Sequence, residues 1–418
     1  MRSLFLLIPF CTTVALFAQD AAKTPPKSWI DPDTGHKVYR LTDEPNSASL
    51  YFNQNGYTAD GKKLIYTTPE GISTFDLQSH ATRRVVEGRV RVIVTGHKTQ
   101  NVYYIKGTFA GGDQAVWSTD VDTLKSREIA KIPGRSSVAT VNADETLLAG
   151  TVIEGEGGGY YGTQRPPTGG TQTMNLEQPR NKGQMMEQRL AAHLPMALFV
   201  IDIKSGKLDN IHKSTDWLNH LEFSPSDPTL LMFCHEGPWH KVDRIWTMRT
   251  DGSQVTLIHK RRMAMEIAGH EFWSHDGKTI FYDLQTPRGE DFWLAGYNVE
   301  NGARTWYHLQ RNEWSIHFNV TKDGTLFCGD GGDPGQVAKA PDGEWIYLFR
   351  PQLIKSEGML NEKDFIQPGV FHAEKLVNMS KHNYHLEPNV SFTPDQKWVV
   401  FRSNMFGPTY VFAVEVSK

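Results

Sequence analysis

An all-β fold, a seven-bladed β-propeller, is what the sequence predicts. It rests on a turn-and-strand motif read seven times, on a spacing of roughly 40 to 50 residues between uninterrupted copies, and on strand-like segments following each turn. The copies are 57–66 (YTADGKKLIY), 94–105 (VTGHKTQNVYYI), 141–148 (VNADETLL), 223–233, 273–282 (WSHDGKTIFY), 320–327 (VTKDGTLF) and 392–401 (FTPDQKWVVF). Asp-Gly supplies the positive-φ backbone of a tight hairpin turn, and the β-branched and aromatic residues after it suit a pleated, buried surface. Further strands with their own turns follow most copies, as in LFVIDIKSG, RIWTMRTDG and FWLAGYNVENG, so each unit reads as a small antiparallel sheet. Two wide gaps break the spacing: residues 154–188, rich in Gly, Pro and Gln, and 330–343 read as long loops, which on rigid scaffolds often carry function.

The 418 residues are 39% hydrophobic and 22% charged, enough for a large core, and one ring of blades accommodates this length as a single domain over 20–418. A net charge of only −3 provides no basic field for nucleic acid. At the N-terminus Arg2 precedes the apolar run 4–17 and then Ala18, Gln19 and Asp20, the layout of a secretory signal over 1–19. The run is short of the roughly 20 residues that span a bilayer, so the expectation is cleavage, export to the periplasm and no membrane insertion afterwards. The mature chain keeps Cys234 and Cys328 on separate blades, where a disulfide is not expected. A monomer is expected.

In a propeller the inner strands line the channel, so equivalent positions form a ring. Three residues before each marker stand Gln54, Arg91, Val138, His220, His270, His317 and Asn389. Three consecutive units thus place histidine at the same register. A lone histidine there is usually an ordinary hydrogen-bonded residue, whereas convergent imidazoles can hold a divalent metal or move protons. In the last unit, KHNYHLEPNVSF puts His385, Glu387 and Asn389 on one face if the strand reaches back that far. That mixed donor set suits manganese, zinc or calcium about equally. The alternative is that Pro388 ends the strand early. FCHEGPWHKVDRIW packs further ionisable groups into one hairpin; Asp243 and Arg244 read as an ion pair, while His235, Glu236 and, from the histidine register, His317 are candidates for substrate contact. Arg165, Arg180, Lys182 and Arg189 near the long loop, and Arg91 on the ring, are candidates to neutralise a carboxylated ligand. No GxSxG elbow, Walker loop, dinucleotide fingerprint or CxxC pair occurs, which disfavours α/β serine hydrolases, nucleotide enzymes and zinc ribbons.

WIDPDTGHKVYRLT, WLNH before LEFSP, FCHEGPW followed by VDRIW, HEFW with its DG turn, and SFTPD together resemble the oligogalacturonate lyases over nearly the whole mature chain. The resemblance implies a seven-bladed propeller that cleaves galacturonate oligomers by β-elimination with a manganese ion at the channel mouth, and so an acidic oligosaccharide substrate. It implies His220 as catalytic histidine and His270 as first metal ligand. Aligned on SFTPD, the family's remaining ligands, a glutamine and two histidines, fall on Tyr384, Glu387 and Asn389, with His385 nearby. The family's catalytic arginine falls near Pro195, and Arg189 is the nearest upstream substitute. The competing expectation is a non-catalytic TolB-like propeller that binds a periplasmic protein or glycan.

Overall fold

A computed structural model describes residues 25–107, 114–154, 181–336, 339–355, 357 and 364–418. The proposed signal segment, most of the 154–188 insertion, and with them Arg165 and Arg180, lie outside the described residues.

Strand pairing resolves the described chain into antiparallel units, six of four strands ordered in sequence from inner to outer and one of five. Unit 1 holds Ala48–Ser49, Lys63–Thr68, Gly71–Asp76 and Thr82–Glu87, and unit 2 holds Arg91–Thr95, Asn101–Lys106, Ala115–Asp120 and Ser126–Lys131. Unit 3 comprises Ser136–Val141, Leu147–Ile153, Met196–Asp202 and Leu208–Ser214; unit 4 comprises Trp217–Phe223, Leu230–Glu236, Ile245–Arg249 and Thr256–Leu257. An eight-stranded sheet contains two more: Ile267–Trp273, Thr279–Gln285, Phe292–Asn298 and Arg304–Leu309 form unit 5, and Phe318–Val320, Phe327–Gly329, Trp345–Leu353 and Ile366–Asn378 form unit 6. They join where the outer strands pair in parallel from Arg304↔Ile366 to His308↔Val370. The seventh unit is built from both chain ends. Ser391–Phe392, Trp398–Ser403 and Tyr410–Glu415 are extended by Lys37–Arg40 and Ser28–Ile30, with Val38 opposite Val414.

The repeat motif sits at the turn after each inner strand. Gly61, Gly277 and Gly324 take φ of 70, 69 and 70°, and where the motif lacks glycine, Glu145 and Gln396 adopt the same left-handed backbone at 56 and 61°. Side chains brace these turns: Asp60 Oδ1 accepts from Thr58 Oγ1 at 2.7 Å and from the Lys62 N–H at 3.1 Å. Each unit buries both faces against its neighbours, which explains the nearly continuous apolar strands. Phe199 and Ile201 of unit 3 pack with Tyr103 and Ile105 of unit 2, while Leu198 on the opposite face packs with Leu221 and Phe233 of unit 4.

The insertion read as a loop at 154–188 lies inside unit 3, and its described end is helical. Lys182–Ala192 forms an α-helix whose cap, Asn181, accepts the Gln184 N–H at 2.9 Å. No described helix is long and apolar enough to cross a membrane. Cys234 and Cys328 are buried free thiols, as expected of cysteines on separate blades.

Because unit 7 needs both ends of the chain, its core bears on the whole ring. Phe412 is fully buried on the strand that pairs with the N-terminal segment. Phe412→Ala is expected to destabilise the protein by about 3–5 kcal/mol, read as a lowered urea midpoint at unchanged far-ultraviolet circular dichroism.

Candidate active site at one mouth of the channel

The inner strands of units 4 and 5 carry the same irregularity. Pairing slips between Asn219 and Glu222 in one and between Gly269 and Phe272 in the other, and at each slip a histidine, His220 or His270, has φ of 46°. A bulge re-aims one side chain out of the pleat, and a non-glycine residue in the left-handed region costs about 1–2 kcal/mol. Asn389, at the equivalent place before the inner strand of unit 7, has φ of 54°. Below this level a cavity of about 600 Å³ runs along the axis, lined among others by Tyr51, Asn53, His220, Glu222 and Asn319.

His220 Nε2 lies 2.9 Å from Glu236 Oε2, with about a third of the histidine side chain open. Glu236 in turn receives Arg244 Nη1 at 2.6 Å and the Trp239 indole N–H at 3.0 Å on its Oε1. Arg244 is fully enclosed and reaches a second carboxylate, Glu271, through Nε at 3.2 Å and Nη2 at 3.3 Å, while the Cys234 thiol donates to Glu271 Oε1. Trp239 covers the guanidinium with its ring centroid 4.9 Å away. Burial alone would raise the Glu236 and Glu271 carboxyls, but Arg244 outweighs it, with help from His220, and holds both below the usual carboxylate range.

His270 and His317 form the other half, their rings 4.9 Å apart and edge to face. Each has Nδ1 on a carboxylate: Asp283 Oδ1 at 3.2 Å for His270, and Asp330 Oδ2 at 2.8 Å for His317. Burial disfavours protonated His270, yet Asp283 carries its pKa above the ordinary imidazole value. His317 is wholly buried, with Nε2 3.0 Å from the Tyr51 hydroxyl and 3.9 Å from Glu387 Oε2. Asp330 Oδ1 accepts the backbone N–H groups of Ile316 and His317, so this histidine is fixed from both sides. Deeper in the channel Glu222 accepts from Asn53 Nδ2 at 3.2 Å, and burial pushes its carboxyl well above the usual range.

Several expected placements differ. Arg244 does not pair with Asp243, which instead meets Lys260 and Arg261; lying just ahead of the strand Ile245–Arg249, Arg244 turns toward Glu236 and Glu271. Glu236 joins the mouth, but His235 on the other face of its strand stacks on Trp246 at 4.8 Å and lies 3.5 Å from Asp216. Arg189, on the helix, is buried with Nη2 2.9 Å from Met196 Sδ and its guanidinium over Trp217, which locks the helix onto units 3 and 4 rather than presenting charge at the mouth. Arg91 opens the inner strand of unit 2 with an exposed side chain. The strand of unit 7 begins only at Ser391, so residues 385–389 do not alternate: His385 is exposed on a turn, and Glu387 alone of the pair reaches the histidines. Tyr384 is buried, its hydroxyl donating to the Asp330 carbonyl at 3.2 Å. Asn389, oriented so that both halves of its amide are satisfied, accepts Arg402 Nε at 3.1 Å and Nη2 at 2.5 Å on its oxygen. Arg402 Nε also donates to the Glu387 carbonyl at 2.8 Å. Burial lowers the Arg402 pKa, offset in part by its neighbours Glu387, Tyr51 and Asp330.

Comparison with known proteins bears directly on this site. The family profile described as oligogalacturonate lyase matches residues 184–418. The oligogalacturonide lyase of Pectobacterium atrosepticum is 24% identical over 407 residues, covering 93% of this chain and 95% of its own, and the oligogalacturonate lyase of Dickeya dadantii is 24% identical over 416 residues with the same coverage. An oligogalacturonate lyase solved in complex with manganese superposes with a TM-score of 0.73 at 23% identity, covering 94% of this chain and 96% of its own. The oligogalacturonate lyase of Vibrio parahaemolyticus does so at 0.72 and 25%, with the same coverage.

The Arg244 network makes a signed prediction. Both carboxyls have folded pKa values below the ordinary 4.5, so the unfolded chain binds more protons; this stabilisation is complete above about pH 4.5 and is lost as pH falls toward the folded values. Arg244→Met leaves two buried carboxylates without their cation and is expected to cost about 3–5 kcal/mol near neutral pH. The variant should then gain stability on mild acidification, opposite to the parent, in urea unfolding at two pH values.

Proposed function

Since the chain belongs to the oligogalacturonate lyase family, we propose that it cleaves oligogalacturonates, or oligosaccharides of closely related uronates, by β-elimination. As a member it is a polysaccharide lyase; the chemical detail is inferred from its own residues. Elimination removes the C5 proton, α to the uronate carboxylate, forms the C4–C5 double bond and breaks the bond from C4 to the glycosidic oxygen. The products are an unsaturated uronate and a shortened chain whose released oxygen takes up a proton. The slow element is the carbanion, whose charge spreads into the carboxylate and needs a nearby positive or donor group.

The observation that carries the reading is the His220–Glu236–Arg244 chain at the mouth. With Glu236 ionised, His220 Nε2–H donates to it, leaving the Nδ1 lone pair free to accept the C5 proton. Arg244 and Trp239 fix the Glu236 carboxylate, and so fix the tautomer and aim of His220. The left-handed backbone at His220 turns this imidazole out of the strand. His270, whose protonated form Asp283 favours against the cost of burial, is the candidate to give a proton to the departing oxygen. His317 is held rigid by Asp330, and Arg91, exposed at the start of unit 2's inner strand, is the candidate to meet a carboxylate of a neighbouring sugar.

A divalent metal, manganese above all, is what the sequence led us to expect. His270 and His317, each supported by an aspartate, have the chemistry of metal ligands. Of the other positions only Glu387 comes near, its Oε2 3.9 Å from His317 Nε2; Asn389 gives its oxygen to Arg402, Tyr384 is bonded to the Asp330 carbonyl, and His385 is exposed on a turn. Among the described residues no three of His, Cys, Asp and Glu gather as a metal site, so no step above is routed through one. Export to the periplasm, supported by the signal-like layout of residues 1–19, and action as a monomer belong to the same proposal.

The test is the ultraviolet absorbance of unsaturated uronate on incubating the mature protein with oligogalacturonates and other uronate oligomers. The expected result is product from at least one of them. His220→Ala is expected to lower kcat by about 10²–10⁴-fold, the usual share of a general base, with unchanged melting temperature. A parent protein inactive on every uronate oligomer would overturn the assignment.

A further inference from the structure

The disagreement at unit 7 points to what replaces a bound cation. Two strand ends meet there, the turn 385–389 and the end of Trp398–Ser403, and the group that fills the space between them is the Arg402 guanidinium. It binds the Asn389 side-chain oxygen through Nε and Nη2 and the Glu387 carbonyl through Nε, and has Tyr51, Glu387 and Asp330 as charged or ionisable neighbours. Among the described residues Nη1 has no hydrogen-bond partner, and the side chain is only partly buried. A divalent ion brought to these donors would meet a fixed positive charge and an amide oxygen already engaged, and like charges at such range repel strongly.

We propose that Arg402 itself is the electrophilic group at the uronate carboxylate, a built-in cation that binds the substrate and stabilises the charge that develops on deprotonation, in place of a metal ion. The inference deepens the lyase reading and rests on it for the reaction, though not for the binding step. A guanidinium grips a carboxylate with two parallel hydrogen bonds and is charged at every working pH. Asn389 and the Glu387 carbonyl hold it through Nε and one Nη2 hydrogen, leaving Nη1 and the other Nη2 hydrogen for the two oxygens of the ligand carboxylate. The Asn389 backbone, strained at φ of 54° and with its N–H 3.3 Å from Asp330 Oδ2, keeps the amide oxygen aimed at that guanidinium.

Three measurements on the full mature protein decide it. Elemental analysis and manganese titration by calorimetry are expected to show no stoichiometric metal, and a chelator is expected to leave turnover unchanged. Galacturonic acid, which lacks a sugar leaving group, serves as an uncleaved probe: its affinity should fall at least about tenfold in Arg402→Gln, and Arg402→Lys should recover part of it. With a cleaved oligomer, Arg402→Gln should lose about 10²-fold or more in kcat while keeping its melting temperature; if that variant does not fold, Arg402→Lys carries the comparison. One metal per chain whose removal abolishes galacturonate binding would overturn the proposal, as would equal affinity of parent and Arg402→Gln or failure of the parent to bind galacturonate. A parent that binds galacturonate through Arg402 yet cleaves no uronate oligomer would sink the lyase reading and leave this one standing.

Discussion

Arg244 is the group on which the histidine-lined end of this propeller depends. It is a fully buried cation between two carboxylates, Glu236 from the second strand of unit 4 and Glu271 from the inner strand of unit 5. Taking three charges out of water is costly, and the arrangement holds because every strong donor and acceptor in it has a partner: Trp239 and His220 on Glu236, the Cys234 thiol on Glu271. The network is therefore both a seam between adjacent blades and the support of the proposed base. A change that loosens the seam alters the tautomer and direction of His220 at the same time, so stability and chemistry share the same atoms. The tryptophan lid over the guanidinium keeps solvent away and strengthens each interaction beneath it.

Much of the fold is legible in the sequence because the repeat is a local signal. The Asp-Gly turns, the strand alternation and the spacing each depend on residues close in sequence, and the structure shows the turn geometry even where Glu145 or Gln396 stands in for glycine. Register along the inner strands was legible for the same reason, and it singled out His220, His270 and His317, the first two of which have left-handed backbone. Other ring members are scaffolding: Gln54 donates its amide to the Ile93 carbonyl at 2.8 Å and ties unit 1 to unit 2.

What sequence reasoning missed depends on contacts between distant segments. Asp283 and Asp330 orient His270 and His317 from the second strand or the turn beyond it, 13 residues away in both cases, and Tyr51 reaches His317 from 266 residues away. Arg402 could be found only by knowing that the turn before unit 7's inner strand folds back on the end of the next. Pairing Arg244 with its sequence neighbour Asp243 followed proximity in the chain, whereas Asp243 is taken by Lys260 and Arg261 from a later segment. Alternation could not have found the Glu236 contact either, because Arg244 lies just ahead of the strand Ile245–Arg249 and its turn, not the pleat, aims the side chain at Glu236. The helix at Lys182–Ala192 was hidden inside a Gly- and Pro-rich insertion whose composition dominates any window across it.

The parallel seam between the outer strands of units 5 and 6 gives this ring an uneven mechanical grain. Elsewhere neighbouring blades meet mainly through side chains, which can slide, but from Arg304 to His308 two blades share a backbone ladder. Peeling one of them open means breaking main-chain hydrogen bonds to the other, so the pair behaves as a single stiff plate in a ring of separate leaves. His270 stands on one half of that plate and His317 on the other. Any loosening of the ring would therefore fall on the remaining seams before it separated the two blades that carry these imidazoles.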